Sequence, residues 1–303
     1  MIEGDKVNNR IGIYFAYWTQ EWDGDFIYYV KKAAGLGFDT LEICPANLID
    51  KPRSVLRDIR KAADDSGIDL TYCIGIPPEY DIASEDKHVA EAGVIYQKRL
   101  IDVVSDMGGE LIGGILYSCW PGSFSFGISD KRPWWERSVS NMKMIAEYAE
   151  EKGVTLCMEV VNRFEQILLN TAEEGVAYCR DVDNPACRLL LDTYHMNIEE
   201  DSFRDAILTA KDYLHHFHAG ETNRKTPGLG KLDWDAVCGT LNEIGYTGHV
   251  VMEPFVRMGG TVGGDIKVWR DLSGNADEGG LDKMAREACR FIKDKMDHVR
   301  GGD

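Results

Sequence analysis

The segment 155–165, TLCMEVVNRFE, decides how the chain is read. Leu156, Cys157, Met158, Val160 and Val161 put apolar side chains on both faces of an extended strand. Such a run suits a parallel sheet covered by helices on either side. Glu159 interrupts it. A buried carboxylate is costly unless it is paired, hydrogen-bonded or bound to a cation, so Glu159 must have partners elsewhere in the chain.

Seven further segments share this apolar character: 11–18, 40–44, 70–76, 111–118, 188–195, 214–221 and 249–255. Between them lie amphipathic stretches with helical spacing, at 25–37, 55–67, 89–108, 135–153, 171–182 and 233–245, with a last one at 281–299. Eight such alternations predict an α/β fold, a (β/α)8 TIM barrel. Residues 1–9 read as an N-terminal extension, and residues 10–303 as a single catalytic domain. A doubly wound open sheet is the alternative, but no GxGxxG follows the first strand to support it.

Composition narrows the function. The 303 residues carry a formal net charge of -17, which argues against a nucleic-acid or anionic-membrane partner. The charge suits a neutral ligand, or a cation held by carboxylates. Eight cysteines are spread along the chain without a CxxC pair, so they read as reduced core thiols. The polar start MIEGDKVNNR lacks the apolar core of a signal peptide, and no apolar run reaches membrane-span length. The expectation is a soluble cytoplasmic protein.

In a barrel of this kind the chemistry sits at the carboxyl ends of the strands. Glu159 lies near the end of the fifth strand, Asp192 of the sixth, His218 of the seventh and Glu253 of the eighth. Three carboxylates in one barrel mouth would raise each other's pKa values, and a divalent cation would remove the conflict. Three oxygen ligands and one imidazole suit Mn²⁺, Co²⁺ or Mg²⁺ rather than a closed structural zinc site. The fifth and eighth strands are three steps apart in an eight-membered ring. Glu159 and Glu253 are therefore expected to face each other across the mouth, as a pair of bases on two sides of a bound carbon.

Other residues gather at the same end. Glu165, His195 and Arg224 read as ligand contacts, whereas Arg163, Asn223 and Lys225 read as ordinary loop residues. Tyr14, Trp120 and Phe255 offer flat apolar faces. His216 shares a strand face with His218, while His215 points the other way and reads as a buried, satisfied histidine.

The stretches GIYFAYW (12–18), MEVVNRFE (158–165), LLDTYHMNIEEDS (190–202), HAGETNRKTPGLG (218–230) and VVMEPFVRMGGTVGGDIKVWRD (250–271) resemble the ketose 3-epimerases, the D-psicose (D-allulose) and D-tagatose 3-epimerases. The resemblance spans nearly the whole chain after residue 10. It implies a TIM barrel, a Mn²⁺ or Co²⁺ ion, and C3 epimerisation of free ketohexoses through a cis-enediolate. It gives Glu159, Asp192, His218 and Glu253 as metal ligands, with Glu159 and Glu253 also as the acid/base pair. It places Tyr14, Glu165, His195 and Arg224 against substrate, with Trp120 as an aromatic wall, in a homodimer or homotetramer. Cys119 and the loop 121–135 depart from the family's pattern. A metal-dependent aldose–ketose isomerase on the same barrel is the rival reading.

Overall fold

The computed structural model describes residues 9–122 and 130–298. Eight strands pair in chain order into a closed barrel. They are β1 (Arg10–Tyr14), β2 (Thr40–Ile43), β3 (Asp69–Cys73), β4 (Leu111–Gly114), β5 (Thr155–Val160), β6 (Cys187–Asp192), β7 (Leu214–Ala219) and β8 (His249–Met252). Every pair is parallel, and β8 closes onto β1 with Ile11 opposite Val250 and Ile13 opposite Met252. Among the described residues no helix is long and apolar enough to cross a membrane.

Helices cover the outside, and polar side chains fix where several of them start. Asp25, Asp86, Thr171, Ser202 and Asp233 each accept a backbone N–H from the first turn that follows. This satisfies donors that have no partner inside the helix. Among the described residues, three α-helices were not read from the sequence: Thr193–Glu199, Phe203–Ala210 and Gly260–Asp265.

Alternation along the strands divides the core into two. Leu41, Ile43, Met158, Val160, Leu189, Leu191 and Phe217 belong to the large apolar core shared with the helices. Leu111, Cys157 and Leu190 form a separate apolar cluster. Cys157 lies two residues before Glu159 on the same strand face, so this cluster sits beneath the carboxylate. All eight cysteines are buried free thiols.

The strands end earlier than the sequence pattern predicts. Glu253 lies one residue past β8 and not within it, because Pro254 has no N–H with which to continue a ladder. His195 lies in the helix after β6, not at the end of a strand. That helix starts because Asp192 caps it, its Oδ1 accepting the Tyr194 N–H at 2.8 Å. Asn9, assigned to the extension, is instead built into the barrel base, its Nδ2 donating to Tyr246 O at 2.9 Å. Residues 1–8, and 123–129 of the loop 121–135, lie outside the described residues.

Gly114 closes β4 at φ +115°, and a Cβ there would meet Ile74 O at 2.1 Å. Both features exclude a side chain. Gly114→Ala is expected to lower stability by about 1–3 kcal/mol or more, measured as a fall in the denaturation midpoint. An unchanged midpoint would show that the turn can relax.

Candidate active site

Glu159, Asp192, His218 and Glu253 come from four consecutive strands or strand ends and meet at the mouth. One ligand atom from each lies within 4.8 Å of all the others. Asp192 spends Oδ1 on its helix cap, which leaves Oδ2 buried without a hydrogen-bond partner. His218 has its Nε2 2.7 Å from Glu42 Oε1, while its buried Nδ1 has no partner. That Nδ1 lies 3.9 Å from Glu159 Oε1 and 3.8 Å from Glu253 Oε2. Orphaned buried polar atoms are rare and call for an explanation. Here two of them converge with two further carboxylates, and the four side chains could hold a divalent ion. Three oxygens and one imidazole nitrogen suit a hard or borderline cation.

The electrostatics point the same way. Without a cation, burial raises the pKa of Glu253, and Glu159 and Asp192 raise it further against the pull of His218 and Arg224. Burial alone would lower the His218 pKa, but Glu42, Glu253 and Glu159 push it up to about 10. Both shifts run in the direction that favours added positive charge in the cluster.

Above the cluster opens a cavity of about 300 Å³. Tyr14, Trp120, Glu165, His195, Arg224 and Phe255 all line it, together with Glu159 and Glu253. Glu165 is fixed from two sides, accepting from Trp120 Nε1 at 2.9 Å and Asn162 Nδ2 at 3.0 Å. Burial would raise its pKa, but His195 and Arg224 hold it below the usual value. Burial likewise opposes the charged form of His195, while Glu165 and Glu159 favour it. The backbone N–H of Asn162 nevertheless points at His195 Nδ1 at 3.2 Å, which keeps that nitrogen an acceptor. His195 Nε2 is then the protonated nitrogen, and it lies 3.5 Å from Glu159 Oε1.

Arg224 has a positive φ of 61° and stacks its guanidinium 3.7 Å from the centre of the Tyr194 ring. Its Nη1 is 3.3 Å from Glu253 Oε2 and 3.5 Å from Asp192 Oδ2. A left-handed backbone on a non-glycine residue is strained, and here it directs a cation at the carboxylate cluster. Residues 256–272 form part of the roof. Asp265 and Ile266 line the cavity, and Arg257 Nη1 ties the segment to Trp18 O at 2.6 Å.

Arg163 and Asn223, two of the residues read as ordinary loop positions, make contacts of that kind. Arg163 pairs with Glu199 on the surface, and Asn223 Nδ2 donates to Leu229 O. Glu221 braces its own loop through Gly228 N and Trp234 Nε1. His215, expected to be buried, is exposed. It precedes the closely paired part of β7, where the register with β6 shifts, so its side chain opens to a cleft at the barrel base. The sequence reading missed Glu42, Cys73, Trp22 and Asp265. Glu42 carried the same signal as Glu159, a carboxylate inside the apolar run TLEIC. Cys73 falls within 4.8 Å of ligand atoms on Glu159 and His218.

A family model described as xylose isomerase-like TIM barrel matches residues 30–295. The chain is 47% identical to the D-psicose 3-epimerase of Ruminiclostridium cellulolyticum, over 93% of this chain and 96% of that protein. It is also 47% identical to the D-psicose 3-epimerase of Agrobacterium fabrum, over 93% and 97%. Among solved structures, D-psicose 3-epimerase from Clostridium cellulolyticum H10 with D-tagatose superposes with a TM-score of 0.93 at 46% identity. That match covers 95% of this chain and 99% of the other.

A divalent cation entering the cluster must displace the protons on His218 Nδ1 and Glu253. Both groups titrate above their ordinary values, so cation affinity is expected to rise with pH until about pH 10 for the histidine. The rise should be about tenfold per pH unit for each proton displaced. Adding Mn²⁺ in weak buffer near neutral pH should release acid; cation binding with no proton release would contradict this electrostatic picture.

Proposed function

Because the chain belongs to the xylose isomerase-like TIM barrel family, among its ketose 3-epimerases, and is an isomerase acting on ketose sugars, we propose that it interconverts D-fructose and D-psicose by inverting C3. D-tagatose and D-sorbose are a second pair open to the same step. The observation that carries this reading is the placement of Glu159 and Glu253, each near 3.9 Å from His218 Nδ1 and rooted three strands apart in the barrel.

Glu159, Asp192, His218 and Glu253 would hold a divalent ion, with Mn²⁺ or Co²⁺ favoured and Mg²⁺ compatible. When bound, such an ion supplies Lewis-acid polarisation of the C2 carbonyl, which acidifies the C3 proton. The remaining chemistry belongs to the chain. One glutamate takes the C3 proton, and the C3–H electron pair forms the C2=C3 bond of a cis-enediolate, leaving negative charge on the C2 oxygen. Arg224 and the Nε2–H of His195 stabilise that charge. The other glutamate, protonated beforehand, delivers its proton to the opposite face of C3, and the C2 carbonyl re-forms. Each turnover moves one proton from one glutamate to the other, so the reverse reaction exchanges their roles.

Tyr14, Trp120 and Phe255 give the sugar chain an apolar wall that excludes water from the enediolate. Glu165, fixed by Trp120 and Asn162, accepts a sugar hydroxyl. Exposed Phe164, Met258 and Trp269 offer apolar surface for a homodimer or homotetramer.

Two measurements test this reading. Turnover of D-fructose in D₂O should place deuterium at C3 of D-psicose; glucose or mannose as product would instead indicate aldose–ketose isomerisation. Glu159→Gln and Glu253→Gln should each reduce kcat by about 10²- to 10⁴-fold. Near-normal turnover in either variant would remove that residue from proton transfer.

A further inference from the structure

Glu42 is fully buried in β2, inside the barrel and below the candidate metal ligands. Its Oε1 lies 2.7 Å from His218 Nε2, and its Oε2 lies 2.7 Å from His216 Nε2. Thr71 Oγ1 donates to the same Oε2 at 3.0 Å. The strands involved, β2 and β7, are three steps apart through β1 and β8. The contact therefore spans the barrel interior and does not join neighbouring strands.

We propose that Glu42 is a positioning residue that locks His218 with its Nδ1 turned toward Glu159, Asp192 and Glu253. An ionised carboxylate only accepts hydrogen bonds. The nitrogen facing it must therefore carry hydrogen, and this assigns Nε2–H to His218. Once a cation displaces its proton, Nδ1 is the nitrogen left to present a lone pair, and it is the buried atom with no hydrogen-bond partner. His216 and Thr71 hold the carboxylate in turn, so its orientation does not depend on His218. Hydrogen bonds to an anion are stronger than neutral ones, and an imidazole held by a carboxylate is a more basic ligand. The inference rests on the metal-binding reading of the cluster. It adds a residue from the opposite side of the barrel whose function is to aim one ligand.

The experiment measures Mn²⁺ binding to the full chain by the EPR signal of free Mn²⁺. Glu42→Leu removes both acceptor oxygens and frees His218 to rotate or change tautomer. Its Mn²⁺ dissociation constant should rise by about 10- to 100-fold, while the sugar KM at saturating Mn²⁺ stays near the wild-type value. Glu42→Gln, which keeps one acceptor, should lie between the two. Variants that fold and bind Mn²⁺ as tightly as wild type would overturn the proposal and leave Glu42 a structural residue. Wild-type protein that binds no Mn²⁺ would instead refute the metal-binding reading itself. Should both variants fail to fold, nitrogen-15 NMR of the Mg²⁺-loaded wild-type protein decides. A proton on Nε2 and none on Nδ1 of His218 supports the lock, and the opposite tautomer overturns it.

Discussion

Like charges gathered out of water at one end of a barrel are the constraint on which the rest of the structure depends. Glu42, Glu159, Asp192 and Glu253 are all buried, and among the described residues His216, His218, His195 and Arg224 lie against them. Such a group is stable only if every charge has an assigned partner. The surrounding fold makes those assignments. A helix cap occupies one oxygen of Asp192, a backbone N–H fixes the tautomer of His195, and the Tyr194 ring supports Arg224. Among the buried atoms left without a hydrogen-bond partner, Asp192 Oδ2 and His218 Nδ1 converge where a cation could fit.

The barrel makes this arrangement possible by separating two kinds of interior. Outward positions of the strands pack against helices with continuous aliphatic surface. Inward positions are stratified, with Leu111, Cys157 and Leu190 forming an apolar layer and the carboxylates and imidazoles lying above it. An apolar floor raises the strength of every electrostatic interaction above it. It thereby raises both the cost of an unpaired charge and the benefit of a paired one.

Much of this was legible in the sequence, for definite reasons. The apolar runs were readable because a barrel strand is buried on both faces. Glu159, Asp192 and His218 stood out against that background. Glu253 was found too, although it lies beyond its strand, because Pro254 leaves the preceding apolar pattern intact. Strand ends were read too long because apolar character continues past the last ladder bond, as in Phe15, Ala16 and Tyr17, which form a short helical turn. Glu42 was passed over because its functional neighbours, His216 and His218, lie on the far side of the ring. A single chain does not reveal contacts across a barrel until closure is known. The helix at 193–199 was hidden because Asp192 was read as a ligand alone, and not also as a cap.

On the proposed reading, the cavity also divides the sugar into two parts. Directional groups crowd the end near the cluster, where Glu165, His195 and Arg224 meet. Ala46, Ile74, Pro77, Pro78, Tyr96 and Ile266 also line the cavity. Two of the polar groups there are held by Trp22: Asn47 Nδ2 donates to Trp22 O, and Asp265 Oδ2 accepts from Trp22 Nε1. Strong discrimination between hydroxyl configurations requires buried partners that are left unpaired by the wrong sugar. The aliphatic lining residues have no such groups to leave unpaired. On this reading, configuration near C3 would be read by hydrogen bonds, and the rest of the sugar by length and shape. On that same reading, one pair of glutamates would serve ketoses that differ beyond the reacting carbon.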